Sequence, residues 1–280
     1  MVIFVDDISF RISRSTYRAA IEEANCIMKE ALDWFASNGL ILNTEKTGFI
    51  AFSNGQSQSS NQDDPIFAGD CQIKKLKSTK FLGLHVDEHL TWDIHVEHVC
   101  KTLRSMCYAL GRLAQVCSLQ ALLTVYYSHF ESILRYGVRF WGFSSQKNFY
   151  RVFKLQKWAV RAMVRARKRE SCKPFFKQLN IMTFPSLVGY ECCMFVRKNY
   201  SSFSECGSYH SYVTRSRQQL EIPKHATAFY EKVPYYTCTT IYNKLPIQIK
   251  QEVEVNVFKR KLRNYFIDNS FYNKNIVNFM

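Results

Sequence analysis

The sequence predicts an α+β chain, β-type at its start and helical from about residue 92 onward. Three observations predict it. Apolar β-type runs bounded by turn residues precede Trp92, apolar residues recur at helical spacing after it, and basic residues gather on one face of the segment 147–169. With 280 residues, 47% hydrophobic and 15% aromatic, the chain has ample core material. That excludes global disorder and a fibrous architecture.

Met1 to Val5 is an apolar β-type run, and Ile8 to Ile12 alternates as a return strand, so a hairpin is expected to turn at Asp6-Asp7. From about Ser15, Tyr17, Ile21, Met28, Leu32 and Phe35 mark a helix, with Gly39 placed as a left-handed cap. Gly48 to Phe52 is a strand candidate, residues 53–64 a polar loop, and Cys71 to Leu76 and Lys80 to Asp87 two more β-type segments. Val96, Val99, Leu103, Met106 and Leu110 then define a helix, and Leu119 to Leu134 another. In 147–169, Arg151, Lys154, Lys157, Arg161, Arg165 and Lys168 form a basic stripe, while Val152, Leu155, Ala159 and Met163 turn to another face. Residues 171–200 suggest a helical pair, 201–240 shows weak periodicity, and Phe258 to Phe266 suggests a short basic helix.

The formal charge is +15, and residues 135–198 carry fifteen Lys or Arg against Glu170 and Glu191. Such a localised excess favours a polyanionic partner over a merely soluble surface. The ten cysteines have no leader ahead of them and are scattered, which suggests reduced thiols in an intracellular protein, cytoplasmic or nuclear. Leu113 to Phe130 is uncharged but broken by Gln115, Ser118, Gln120 and Ser128, so a buried helix is expected there and no membrane span. His85, His89, His95, His98 and Cys100 crowd a short stretch, yet no Cys-x-x-Cys accompanies them and zinc is not expected. No Gly-x-Ser-x-Gly elbow supports a hydrolase.

Adjacent carboxylates at a hairpin tip can hold a hard divalent cation, although an Asp-Asp turn is in itself common. Lys46 without its neighbours reads better as an exposed loop lysine, and Phe81 and Leu82 read also as ordinary sheet core. Trp34, Phe35 and Trp92 are expected in the core, and Phe149, Tyr150, Phe153 and Trp158 either pack inward or stack on bases.

In order, Phe4-Val-Asp-Asp7, the helix, Leu32-Asp-Trp-Phe-Ala-Ser-Asn-Gly-Leu-Ile-Leu-Asn-Thr-Glu-Lys-Thr47 and Phe81-Leu-Gly-Leu-His-Val-Asp87 resemble the last palm motifs of non-LTR (LINE-type, jockey-like) retrotransposon reverse transcriptases. The likeness continues through Leu90-Thr-Trp-Asp-Ile-His95, Leu155-Gln-Lys-Trp-Ala-Val-Arg161, Ser171-Cys-Lys-Pro174, Leu179-Asn-Ile181 and Ile241-Tyr-Asn-Lys-Leu-Pro246. The resemblance implies the end of a reverse-transcriptase palm over 1–90, thumb-like helices over 91–145, a basic helical nucleic-acid-binding region over 146–200, and a region of unassigned role over 201–280. It implies RNA-directed DNA synthesis on an RNA template and DNA primer with deoxynucleoside triphosphates. Asp6 and Asp7 would hold Mg²⁺, Lys46 would assist the leaving pyrophosphate, and Phe81, Leu82 and Gly83 would grip the primer end.

The family also uses an aspartate from an earlier palm strand, a Gly-Pro-Gln-Gly type loop and a fingers subdomain, none of which occurs in these 280 residues. Two-metal phosphoryl transfer needs ligands on both sides, and one hairpin cannot enclose the ions. The expectation is thus a polymerase fragment inactive by itself. The alternative is a non-catalytic, retroelement-derived protein that binds nucleic acid through its basic stripe.

Overall fold

The computed structural model describes residues 2–4, 7–52, 64–167, 169–206, 219–225 and 230–273. The chain divides into two compact units, Met1–Leu90 and Thr91–Met280. Both strands and helices are present, and among the described residues the strands all lie in the first unit.

In the first unit β1 (Val2–Phe4) pairs antiparallel with β2 (Asp7–Ser9), Phe4 opposite Asp7. The sequence expectation of a turn at both aspartates is corrected for one of them: Asp7 is a strand residue, because pairing closes at Phe4 and Asp7. Asp6 lies outside the described residues. Helix α1 (Tyr17–Ser37) starts where Thr16 Oγ1 accepts the Ala19 N–H at 3.3 Å. It stops at Gly39, whose φ of +68° is unstrained only for glycine. Gly39 and Leu40 return their N–H groups to Ala36 and Phe35 at 3.1 and 2.8 Å, closing the last carbonyls.

The apolar stripe of α1 packs on a three-stranded sheet of β3 (Gly48–Phe49), β4 (Ile66–Ala68) and β5 (Cys71–Lys75), in the order β3-β5-β4. Strand β3 is parallel to β5 and β4 antiparallel. Ile21, Ile66, Ala68 and Ile73 form the core, with Tyr17, Met28, Leu32 and Phe49 against it. Asn25 fixes the helix on the edge strand by donating to the Pro65 carbonyl at 3.2 Å and accepting the Phe67 N–H at 2.9 Å. Trp34, expected in the core, is instead 53% exposed.

The segment expected as one strand from Lys80 to Asp87 is a hairpin of β6 (Ser78–Phe81) and β7 (Leu84–Asp87). Leu82 and Gly83 link them with φ of 45° and 81°, the two positive values that a type I′ turn demands. Leu82 is apolar and begins the alternation of Leu82, Leu84 and Val86 inside the turn, which hides the turn in the sequence.

The second unit is helical. Its elements are α2 (Asp93–Leu113), α3 (Leu119–Val125), a π-helical turn Tyr126–Glu131, α4 (Ser132–Arg135), α5 (Val138–Trp141) and α6 (Gln146–Met163). They are followed by α7 (Lys173–Gln178), α8 (Phe184–Lys198), α9 (Pro234–Asn243), α10 (Ile247–Lys250) and α11 (Val255–Asn269). Helix α8 is buried along nearly its whole length and gathers α5, α6, α9 and α11 around it, so the unit is continuous across residues 145 and 200. The Phe184 ring lies 5.6 Å from Trp141 and 5.0 Å from Phe149, joining α5 and α6 to α8.

The uncharged run Leu113 to Phe130 is not one buried helix: α2 ends, Val116 is exposed, and Ser118 caps α3 by accepting the Ala121 N–H. Helix α9 was hidden in sequence by its polar Thr and Tyr content. All ten cysteines are free thiols. Among the described residues no helix is long and apolar enough to cross a membrane.

Candidate functional site

In the first unit the described residues singled out by resemblance fall at two strand hairpins and one turn. Asp7 is exposed at the β1–β2 hairpin. Lys46 sits in the turn before β3, where the Asn43 side chain accepts its N–H at 3.1 Å and the Thr47 hydroxyl donates to the Asn43 carbonyl at 2.7 Å, leaving the lysine side chain exposed. Phe81, Leu82 and Gly83 make the tip of the β6–β7 hairpin, with both apolar side chains more than a third exposed. These two side chains are thus not sheet core: they form an apolar knob on a tight turn.

A hard cation takes several oxygen ligands at once, and Asp7 offers one carboxylate. Among the described residues no three His, Cys, Asp or Glu side chains gather in a way that could hold a metal ion. His85 lies in β7, whereas His95 is buried on α2, its ring 5.6 Å from Trp141.

The second unit carries the basic stripe, and the structure sorts its members. Helix α6 buries Phe149, Val152, Phe153, Gln156, Ala159, Val160 and Met163 and turns Lys147, Tyr150, Lys154 and Trp158 outward. Arg151 is ion-paired to Glu97 of α2, and that contact holds the Glu97 carboxyl below its usual range. Lys157 lies 4.6 Å over the Phe153 ring and is pulled below the ordinary lysine range by partial burial. Arg161 Nε donates to the Glu170 carbonyl at 2.9 Å.

Arg165 is not on the helix at all. Its φ is 53°, past the end of α6, and its Nε donates to the Ala114 carbonyl at 2.8 Å, closing the C-terminus of α2. Lys168 lies outside the described residues. The stripe read from sequence as one binding face is therefore divided. Arg151, Arg161 and Arg165 hold the fold together, while Lys147 and Lys154 face solvent.

Sequence reasoning missed that α2 shares this surface. Asp93 meets Asn148, Glu97 meets Arg151, the Cys107 thiol donates to the Leu155 carbonyl at 3.4 Å, and Ala114 meets Arg165, so the two helices run side by side in the same direction. Helix α2 turns Lys101, Arg104, Tyr108 and Arg112 to solvent. Lys101, Arg104 and Arg112 recur at spacings of three, eight and eleven, a helical signal legible in the sequence once α2 is placed next to α6.

The α6 helix is anchored from below by Gln156, which is wholly buried. Its Nε2 donates to the Tyr126 hydroxyl at 3.0 Å and the Met182 carbonyl at 2.9 Å, and its Oε1 accepts the Phe184 N–H at 2.6 Å. One amide thereby ties α6 to the π-helical turn and to the start of α8.

No protein-family model, curated protein or solved structure matches the chain.

Proposed function

We propose that the chain supplies the last palm motifs, the thumb and the region beyond it of an RNA-directed DNA polymerase of the non-LTR retrotransposon type. The observation that carries this reading is the order of motifs along the first unit: the hairpin bearing Asp7, the 21-residue helix, the turn bearing Lys46, and the tight hairpin bearing Phe81, Leu82 and Gly83. An exposed apolar hairpin tip suits packing against the sugar and base of a primer end, and an exposed lysine suits a polyphosphate.

Mg²⁺, in this reading, stabilises the charge of in-line phosphoryl displacement when ligands lie on both sides of it. Asp6 and Asp7 supply one side, so no catalytic step is assigned to these residues alone. Lys46 would neutralise and protonate a leaving pyrophosphate, and Phe81 to Gly83 would hold the primer.

The test is primer extension on an RNA template with magnesium. The 280-residue chain alone is expected to give none. Mixed with a polypeptide carrying the earlier palm aspartate and fingers, it is expected to extend, and Asp7→Asn is expected to abolish that extension. Extension by the chain alone, or none in the mixture, overturns the reading.

A second reading is favoured by the basic surface of α2 and α6: a nucleic-acid-binding module that needs no palm. Its affinity is expected to fall steeply as salt rises. A titration flat in salt overturns it.

A further inference from the structure

The charged and aromatic residues of α2 and α6 are not scattered over two faces. The Glu97–Arg151 ion pair, with both side chains at least partly exposed, marks the solvent side of the seam between the helices. Seven and eleven residues beyond Glu97 on that side stand Arg104 and Tyr108, and three and seven beyond Arg151 stand Lys154 and Trp158. Tyr108 follows Cys107, whose thiol touches the Leu155 carbonyl, and Trp158 is the next turn along from Leu155. A Cβ added at Gly111 would lie 3.9 Å from that of Ala162, so the helices stay close through this stretch. The two aromatics therefore flank one seam at about the same level.

Both are exposed, Tyr108 by 68% and Trp158 by 48%, where large aromatics normally bury themselves. Among the described residues neither stacks on another ring or makes a side-chain hydrogen bond. Lys101, Arg104 and Lys154 are exposed on the same two helices, while Glu97 is neutralised by Arg151 and Asp93, at the start of α2, accepts a hydrogen bond from Asn148. Cations at this density select a polyanion, and bare ring faces among them select one whose bases are unpaired and can stack. A duplex presents no base face to such rings.

We propose that the α2–α6 seam is a binding strip for single-stranded nucleic acid, with Tyr108 and Trp158 stacking on bases and Lys101, Arg104 and Lys154 holding the phosphates. The inference rests on the nucleic-acid reading of the helical unit and is independent of the palm reading.

The test is a fluorescence-anisotropy titration of the whole chain with labelled twelve-nucleotide oligo-dT, oligo-rU and a twelve-base-pair DNA duplex at several salt concentrations. Both single strands are expected to bind more tightly than the duplex. Trp158→Ala and Tyr108→Ala are each expected to weaken single-strand binding by about tenfold, the order that one stacked base contributes. Trp158→Phe should restore most of it, and duplex binding should not move. Preference for the duplex, or unchanged single-strand affinity in both alanine variants, overturns the stacking strip while leaving the nucleic-acid reading intact. Binding unaffected by Lys101→Glu with Lys154→Glu, or no binding to any of the three probes, overturns both. A preference between oligo-dT and oligo-rU identifies which nucleic acid the strip favours.

Discussion

Replacing Gln156 by leucine removes three hydrogen bonds without changing the volume of the core much. The groups left behind are the Tyr126 hydroxyl, the Met182 carbonyl and the Phe184 N–H, with Tyr126 and Phe184 wholly buried and Met182 nearly so. Each buried group left without a partner costs about 1–3 kcal/mol. The carbonyl is the most tolerant, so the three together should destabilise the helical unit by about 3–5 kcal/mol. That is a large share of the roughly 5–15 kcal/mol that holds an ordinary domain. Urea unfolding followed by far-ultraviolet circular dichroism reads it as a fall in midpoint at unchanged slope. Tyr126→Phe added to Gln156→Leu should recover about 1–2 kcal/mol, since it removes one of the orphaned groups. A Gln156→Leu loss below about 1 kcal/mol, or no recovery in the double variant, would refute the view that this amide anchors α6.

Glu131 is buried beside Arg135, and burial raises its carboxyl above the usual range of 4.5 despite the guanidinium. With the folded value above the unfolded one, its contribution is complete below pH about 4.5 and is lost as pH rises through the raised value. The stability of the protein relative to Glu131→Gln should thus decline with rising pH across that window in urea titrations; a rise would contradict the sign. The Cys107 thiol is pushed up to about 12 by burial, and Cys100, Cys192 and Cys193 are also raised by burial. Iodoacetamide at pH 8 should therefore modify Cys26 and Cys71 first and leave these four until denaturant is added, as peptide mass mapping would report. Arg165→Ala should cost about 1–2 kcal/mol of stability by opening the end of α2 and change nucleic-acid affinity less than twofold. Lys154→Ala should do the reverse, and equal effects of the two on binding would refute the division of the stripe.

Much of the helical unit was legible because its apolar residues recur at strict helical spacing, as Val96, Val99, Leu103 and Leu110 do in α2. The cap of α1 was legible at Gly39 for the same local reason. What failed was of another kind. Leu82 put an apolar residue of the right spacing for β7 inside the turn, and β4 is only three residues long, too short to build a pattern. For the basic face, the periodicity separated polar from apolar positions but could not tell a guanidinium facing solvent from one closing a helix end across the chain. Arg165 lies 51 positions from the carbonyl it caps, and no local pattern carries that. Tyr108 carries no signal of its own in the sequence, since its relation to Trp158 exists only once two distant helices lie together.

That side-by-side arrangement has an electrostatic side as well. Peptide dipoles add along a helix to about half a positive charge at its start and half a negative one at its finish. Helices α2 and α6 point the same way, so like poles sit next to each other at both ends. At the starting end stands the Asp93 carboxylate, hydrogen-bonded to Asn148. At the finishing end stand Arg112, Arg161 and Arg165, the last with its guanidinium on a terminal carbonyl. Part of the cationic excess of this region therefore answers a negative field generated by the backbone itself. Formal charge arithmetic, which counts side chains only, overstates what is left over for a ligand.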